Sequence, residues 1–237
     1  MTISETRDFT TLEPKMVVLY ESVLDNVDAG SGTRLLDLGC GAGLFLRLAA
    51  QRGATVTGID LTVGEIESLP YGDDAFDVVT AINAFQFAAE PAKALREAGR
   101  VGRRGAPVVI ATWGRPEQCE ASGYVRAVES LLPPPPPGAP GPFGLSEEGA
   151  IEASAAGGGL APGERHEVLC VWSYPDQDSL LRALGSTAFA VEAAQSAGEE
   201  KVSEAILEAV APYRTIDGGY RLENVFTYMV ARIQRGG

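Results

Sequence analysis

The stretch TRLLDLGCGAGLFLRLAAQR, residues 33–52, constrains this chain more than any other. Leu35, Leu36 and Leu38 form a short apolar run, which suits a strand buried on both faces of a parallel sheet. Asp37 interrupts that run, and Gly39, Gly41 and Gly43 follow it. Glycine lets the backbone turn sharply and approach a ligand closely, because it carries no Cβ. Residues 44–52 then read as a helix stopped by Gly53. A strand, a glycine turn and a helix N-terminus in that order present oriented N–H groups, which favour an anionic or carboxylate group.

The rest of the first half repeats the alternation. Residues 54–60, 75–82 and 106–113 read as strands, and residues 91–101 as a helix. Such alternation predicts βαβ units and a parallel sheet. Ahead of it, Leu12, Met16, Leu19, Tyr20, Val23, Leu24 and Val27 recur at spacings of three and four, so residues 11–28 read as an amphipathic helix. After Trp113 the texture changes. A helix is expected over 117–132, then a proline-rich segment from Pro133 to Pro142 that reads as a stiff linker. Another helix is expected over 146–156. Two late strands, 163–174 and 221–233, enclose helical stretches at 177–185, 187–197 and 199–211.

The expected fold is therefore α/β: a Rossmann-like, doubly wound, mostly parallel sheet with an antiparallel last strand. The expected organisation is an N-terminal helical cap (1–32), a core (33–132), a proline-rich linker (133–145) and a completion of the sheet (146–237). The last part carries a helical insertion at about 175–215 that would act as a lid.

The glycine spacing narrows the ligand. A dinucleotide fingerprint places its third glycine where this chain has Leu44, and the glycine here comes one residue early. Gly58-Ile59-Asp60 ends the second strand with a carboxylate. Ligands of open α/β sheets sit beyond the carboxyl ends of the strands, where such a carboxylate can accept from both ribose hydroxyls. Asp60 thus indicates a nucleoside-containing cofactor without choosing among them.

Composition removes other classes. The chain has 237 residues, 45% hydrophobic and 22% charged, an ordinary globular balance, with a net charge of −13. Nucleic-acid affinity comes largely from Lys and Arg on phosphates, and only Arg100, Arg103 and Arg104 cluster here. Those three read as solvated charges at a helix end, so nucleic acid is not an expected partner. Cys40, Cys119 and Cys170 have neither paired nor metal-ligand spacing, so reduced thiols in a cytoplasmic protein, and no metal site, are expected. The start MTISETRDF has no basic and apolar signal pattern. No apolar run approaches the roughly 18 residues of a membrane span.

LLDLGCGAG, GID, GEIESLPYGDDAFDVV and ALREAGRVGRRGAPVVIATW, in this order, resemble the class I S-adenosylmethionine-dependent methyltransferases. Within them the chain looks like the branch of ubiquinone and menaquinone biosynthesis enzymes and natural-product methyltransferases. The resemblance is specific over about 33–113. It implies S-adenosyl-L-methionine as cofactor, S-adenosyl-L-homocysteine as product and a small-molecule methyl acceptor. It implies that Asp37, Gly39, Gly41 and Gly43, with Cys40 among them, surround the methionine part. Asp60 would hold the ribose, with Leu61 beside it. Glu65, where the family usually has Asp, would face the adenine amino group, and Ile66 would pack on the ring. Asn83 would lie near the sulfonium end. RRGA at 103–106 replaces a common RPGG turn.

Methyl transfer from a sulfonium is an in-line displacement, so positioning matters more than a triad, and no catalytic residue is assigned. His166, the only histidine, reads as a partly exposed structural residue in preference to a general base. Asn83, Phe85, Gln86 and Phe87 lie just beyond a strand's carboxyl end, where they would line the acceptor pocket, unless Phe85 and Phe87 belong to the core. Tyr124, Trp172, Tyr174 and Tyr213 either cover an apolar acceptor or pack the insertion. The rival functions are a non-catalytic cofactor-binding protein of this fold and, less favoured, a dinucleotide-dependent oxidoreductase.

One segment is short. Only four residues separate Asp60 from Glu65, where the family has a helix and a further strand, and a parallel crossover needs about a dozen residues. About twenty residues are expected to be absent near Thr62–Val63, either left out of the chain as numbered, the preferred reading, or truly deleted.

Overall fold

The computed structural model describes residues 11–60, 66–88, 90–133 and 141–234. Four parallel strands form the centre: β1 (Arg34–Leu38), β2 (Thr55–Ile59), β3 (Val78–Ile82) and β4 (Pro107–Trp113). The late strands are β5 (Leu160–Ala161), β6 (Arg165–Tyr174) and β7 (Tyr220–Ile233). The sheet order is β2-β1-β3-β4-β7-β5, with β6 also paired to β7. β7 runs antiparallel to β4, from Pro107 opposite Arg232 to Trp113 opposite Phe226. The mostly parallel, Rossmann-like sheet with an antiparallel last strand is what the sequence predicts; the two-residue β5 has no sequence signal of its own.

Helices cover the parallel strands as the apolar periodicity requires. α1 (Val17–Asn26) packs against α2 (Leu44–Gln51), and α3 (Pro91–Val101) against α5 (Ala150–Gly157). α1 is shorter than its pattern suggests, because residues Glu13–Met16 wind as a 3-10 turn. The segment 117–132 also divides, into a 3-10 turn at Pro116–Gln118 and α4 (Ser122–Glu129). Ser146 does not begin a helix. Its hydroxyl donates to the Phe143 carbonyl at 2.6 Å, and α5 starts after Gly149 in the left-handed region.

The described chain divides into two compact units. One comprises Val17–Arg115, Pro140–Val168 and Val225–Gly237. Its core gathers Leu36, Leu38, Val79, Ala81, Val108 and Ile110 of the sheet with Leu95 and Ala98 of α3 and Ile151 of α5. The other comprises Met1–Met16, Pro116–Ala139 and Leu169–Asn224. There α4 packs on α8 (Glu199–Val210), beside α6 (Gln177–Gly185) and α7 (Ala188–Ala197). Asp176 caps α6 by accepting from the Ser179 amide at 2.7 Å.

β2 stands at the sheet edge, and among the described residues no strand lies outside it. The chain next enters the sheet at β3, on the far side of β1, so residues 60–77 make the crossover. That is enough chain for a parallel connection. The Thr62–Val63 join lies outside the described residues.

Candidate functional site

The chain reverses direction across the sheet at β1: β2 lies on one side and β3 on the other. In open α/β sheets, ligands bind at such a switch point, beyond the carboxyl ends of the strands. Gly39–Gly43 leave β1 at this edge, Asp60 leaves β2, and Asn83 leaves β3. Residues far apart in sequence thus share one rim.

The glycine turn is a conformational requirement. Gly39, Gly41 and Gly43 have φ of 79°, 52° and 84°, a region that L side chains rarely adopt. Gly39 and Cys40 both donate backbone N–H to the Ile59 carbonyl, at 2.7 and 3.1 Å, tying the turn to the end of β2. Gly43 closes the turn by donating to the Cys40 carbonyl at 2.9 Å and begins α2 without a side-chain cap. A Cβ placed on Gly43 would meet nothing within 4 Å, so open space faces this point of the turn.

Asp37 sits under the turn, 3% exposed, and accepts from the Thr80 hydroxyl at 2.7 Å. Asp60 is half-buried at the end of β2. Asn83 adopts φ 54°, donates its backbone N–H to the Ala111 carbonyl at 2.8 Å, and accepts from Gln86 Nε2 at 3.4 Å. A non-glycine residue in that region is uncommon, and asparagine is among the few that tolerate it. Ile66 is buried in the core cluster at 1% exposure. Leu61 and Glu65 lie outside the described residues.

Phe85 is core, 1% exposed, whereas Phe87 is 54% exposed and lies outside the core. His166 lies elsewhere on the sheet-bearing unit. It stacks on Tyr228 at 4.7 Å and accepts from Asn26 Nδ2 at 3.1 Å, in a surface groove bordered by Val18 and Ser22 of α1. Tyr124, Trp172 and Tyr174 are buried inside the helical unit; Tyr124 bonds the Thr187 hydroxyl at 2.8 Å and the Leu184 carbonyl at 3.1 Å. Burial pushes the Tyr124 and Tyr174 phenols above their ordinary range. These aromatics pack the insertion.

Sequence reasoning missed two features. Thr80 reads as one more β-branched strand residue, with nothing to mark its hydroxyl as Asp37's partner. Arg100 and Arg103 read as solvated helix-end charges. In fact Arg100 bonds Glu97, Asp73 and the carbonyls of Leu69 and Tyr71, pinning the loop that precedes β3, and Arg103 pairs with Asp77 at 3.2 Å. The three cysteines are thiols, Cys119 and Cys170 buried and Cys40 half-buried in the turn. Among the described residues, no helix is long and apolar enough to cross a membrane.

Comparison with known proteins agrees with this architecture. A family profile described as a methyltransferase domain matches residues 36–110. The ubiquinone biosynthesis O-methyltransferase of Pseudomonas entomophila is 33% identical over 107 residues, covering 36% of this chain and 46% of the relative. That of Aeromonas salmonicida is 31% identical over 130 residues, covering 46% of this chain and 55% of the relative. The chain spans about half the length of the curated relatives it matches. Among solved structures, the YcgJ protein of Bacillus subtilis superposes with a TM-score of 0.57 at 19% identity, covering 92% of this chain and 98% of that one. A SAM-dependent methyltransferase from Aquifex aeolicus gives 0.54 at 17%, covering 93% and 94%. The [4+2]-cyclase SpnF gives 0.55 at 21%, covering 92% and 80%, so the fold is shared by proteins named for other chemistry. The glycine turn and the switch point at β1 both fall within residues 36–110, the part of this chain that is similar to a methyltransferase domain.

Proposed function

We propose that the chain binds S-adenosyl-L-methionine at the β1–β2–β3 rim and transfers its methyl group to a small-molecule acceptor. The observation that carries this reading is the convergence of the left-handed glycine turn, Asp37, Asp60 and Asn83 on one sheet edge. The residues fit the cofactor. Three glycines in the left-handed region form a cradle, and a Cβ on Gly43 would project into the open space a ligand would fill. Asp60 offers a carboxylate to the ribose hydroxyls, and Asp37 lies beneath the turn on the side assigned to the methionine part. Glu65 and Ile66 are assigned to the adenine side, and Leu61 to the cofactor beside Asp60, by resemblance to the family.

When bound, the cofactor would supply an electrophilic methyl group and a sulfur leaving group for displacement by the acceptor. The chain's own part is to hold that sulfur and an acceptor atom in register and to exclude water. Asn83, fixed by Ala111 and Gln86, projects from the β3 end where the sulfonium would lie. The relatives named O-methyltransferases favour a hydroxyl-bearing acceptor. His166, stacked in its groove with α1, is not assigned as the base.

Calorimetric titration with S-adenosylhomocysteine and, separately, with NAD tests the reading. Micromolar binding of S-adenosylhomocysteine, lost in Asp60→Ala, is expected. Binding of NAD alone would overturn the cofactor assignment, and S-adenosylhomocysteine binding without turnover on any hydroxylated acceptor would reduce the chain to a cofactor-binding protein.

A further inference from the structure

Thr80 is the one polar side chain in β3, among Val78, Val79, Ala81 and Ile82, and it is fully buried. A hydroxyl in that setting is costly unless it is hydrogen-bonded. Its partners are the Leu36 carbonyl at 3.3 Å and, more closely, Asp37 Oδ1 at 2.7 Å. Asp37 and Thr80 are register partners across the parallel β1–β3 pair, so the sheet itself sets their separation. Threonine is stiff at χ1, which holds the hydroxyl where the strand puts it. On the other side of Asp37 the register partner is Gly58, which offers no side chain.

We infer that Thr80 is a positioning residue for the cofactor's amino-acid end: by donating to Asp37 Oδ1 it fixes the carboxylate in the orientation that receives the ligand's ammonium group. The inference rests on the cofactor assignment above. Valine would fill the same space and satisfy β3 equally well, so the hydroxyl is what the position selects. Asp37 without it would keep its place in β1 and lose one of the bonds that orient its carboxylate.

The test compares two ligands that differ in the part Thr80 serves. S-adenosylhomocysteine carries the ammonium and carboxylate; 5′-methylthioadenosine has the same nucleoside and sulfur without them. In Thr80→Val, the Kd for S-adenosylhomocysteine is expected to rise about tenfold, the scale of a hydrogen bond to a charged group. The Kd for methylthioadenosine stays unchanged, and Thr80→Ser restores the first ligand. In an Asp37→Ala background the Thr80→Val change has no further effect, as for two residues acting as a unit. An equal loss for both ligands, or a full effect in the Asp37→Ala background, would overturn the positioning role and leave Thr80 a structural residue. Wild-type protein that binds neither ligand would overturn the cofactor assignment instead. If Thr80→Val does not fold, Thr80→Ala against Thr80→Ser gives the same comparison, since those two differ only by the hydroxyl.

Discussion

Gly58 of β2 leaves the space that Cys40 of the glycine turn occupies: a Cβ on Gly58 would stand 2.8 Å from Cys40 Sγ and 3.0 Å from Cys40 Cβ. The same Cβ would come within 2.5 Å of Leu46 Cδ1 on α2. The turn is therefore seated on β2 by the absence of a side chain as well as by the two amides bonded to Ile59. Gly58→Ala is expected to lower stability by about 1–2 kcal/mol, because both neighbours must shift. It should also weaken S-adenosylhomocysteine binding, and Cys40→Ala in the same chain should recover part of both losses. Thermal melts and calorimetry on the single and double variants measure this; a neutral Gly58→Ala would show that the close approach does not select glycine.

Asp77, just before β3, should make stability depend on acid. Arg34 bonds its carboxylate through Nε at 3.0 Å and a terminal nitrogen at 3.1 Å, and its backbone amide adds a third bond at 2.9 Å. Chiefly through the Arg34 side chain, the carboxyl is lowered from 3.8 to about 2. A depressed folded value means the contribution is complete above about pH 4 and fades as pH falls through 2. Asp77→Asn is expected to cost about 1–2 kcal/mol at pH 7 and much less at pH 2. Urea midpoints of the two proteins across that range decide it; a gap that stays constant with pH would refute the linkage.

Tyr124 should matter to the helical unit and not to the cofactor. Its hydroxyl bonds Thr187 and Leu184 while fully buried. Tyr124→Phe leaves the Thr187 hydroxyl with only its own bond to the Leu184 carbonyl and is expected to lose about 1–2 kcal/mol. S-adenosylhomocysteine affinity should match wild type. A tenfold weaker Kd would place Tyr124 in the binding machinery.

His166→Ala removes the stack on Tyr228 and the bond from Asn26. Loss of about 1 kcal/mol is expected, as for other stacked ring pairs. Methyl transfer, once an acceptor is found, should keep its rate and its pH profile. A collapse of kcat with unchanged stability would make the histidine a base after all.

The sequence by itself determined the sheet and its cradle. Leu35, Leu36 and Leu38 can be satisfied only in a buried strand, and Gly39, Gly41 and Gly43 permit the left-handed turn that side chains would resist. Those are local properties, legible because backbone conformation and burial are encoded within a few residues. Tertiary structure alone decided what depends on residues distant in sequence. It put Thr80 beside Asp37, because only the β1–β3 register makes them neighbours. It turned Arg100 from a surface charge into the clamp on residues 69–73, and sent Tyr124 and Trp172 into the interior of the helical unit. Among the described residues it also ended the sheet at β2, where the family pattern leads one to expect a further strand. A side chain's partner is set by which strands and helices pack together, and a single pass along the chain carries no record of that.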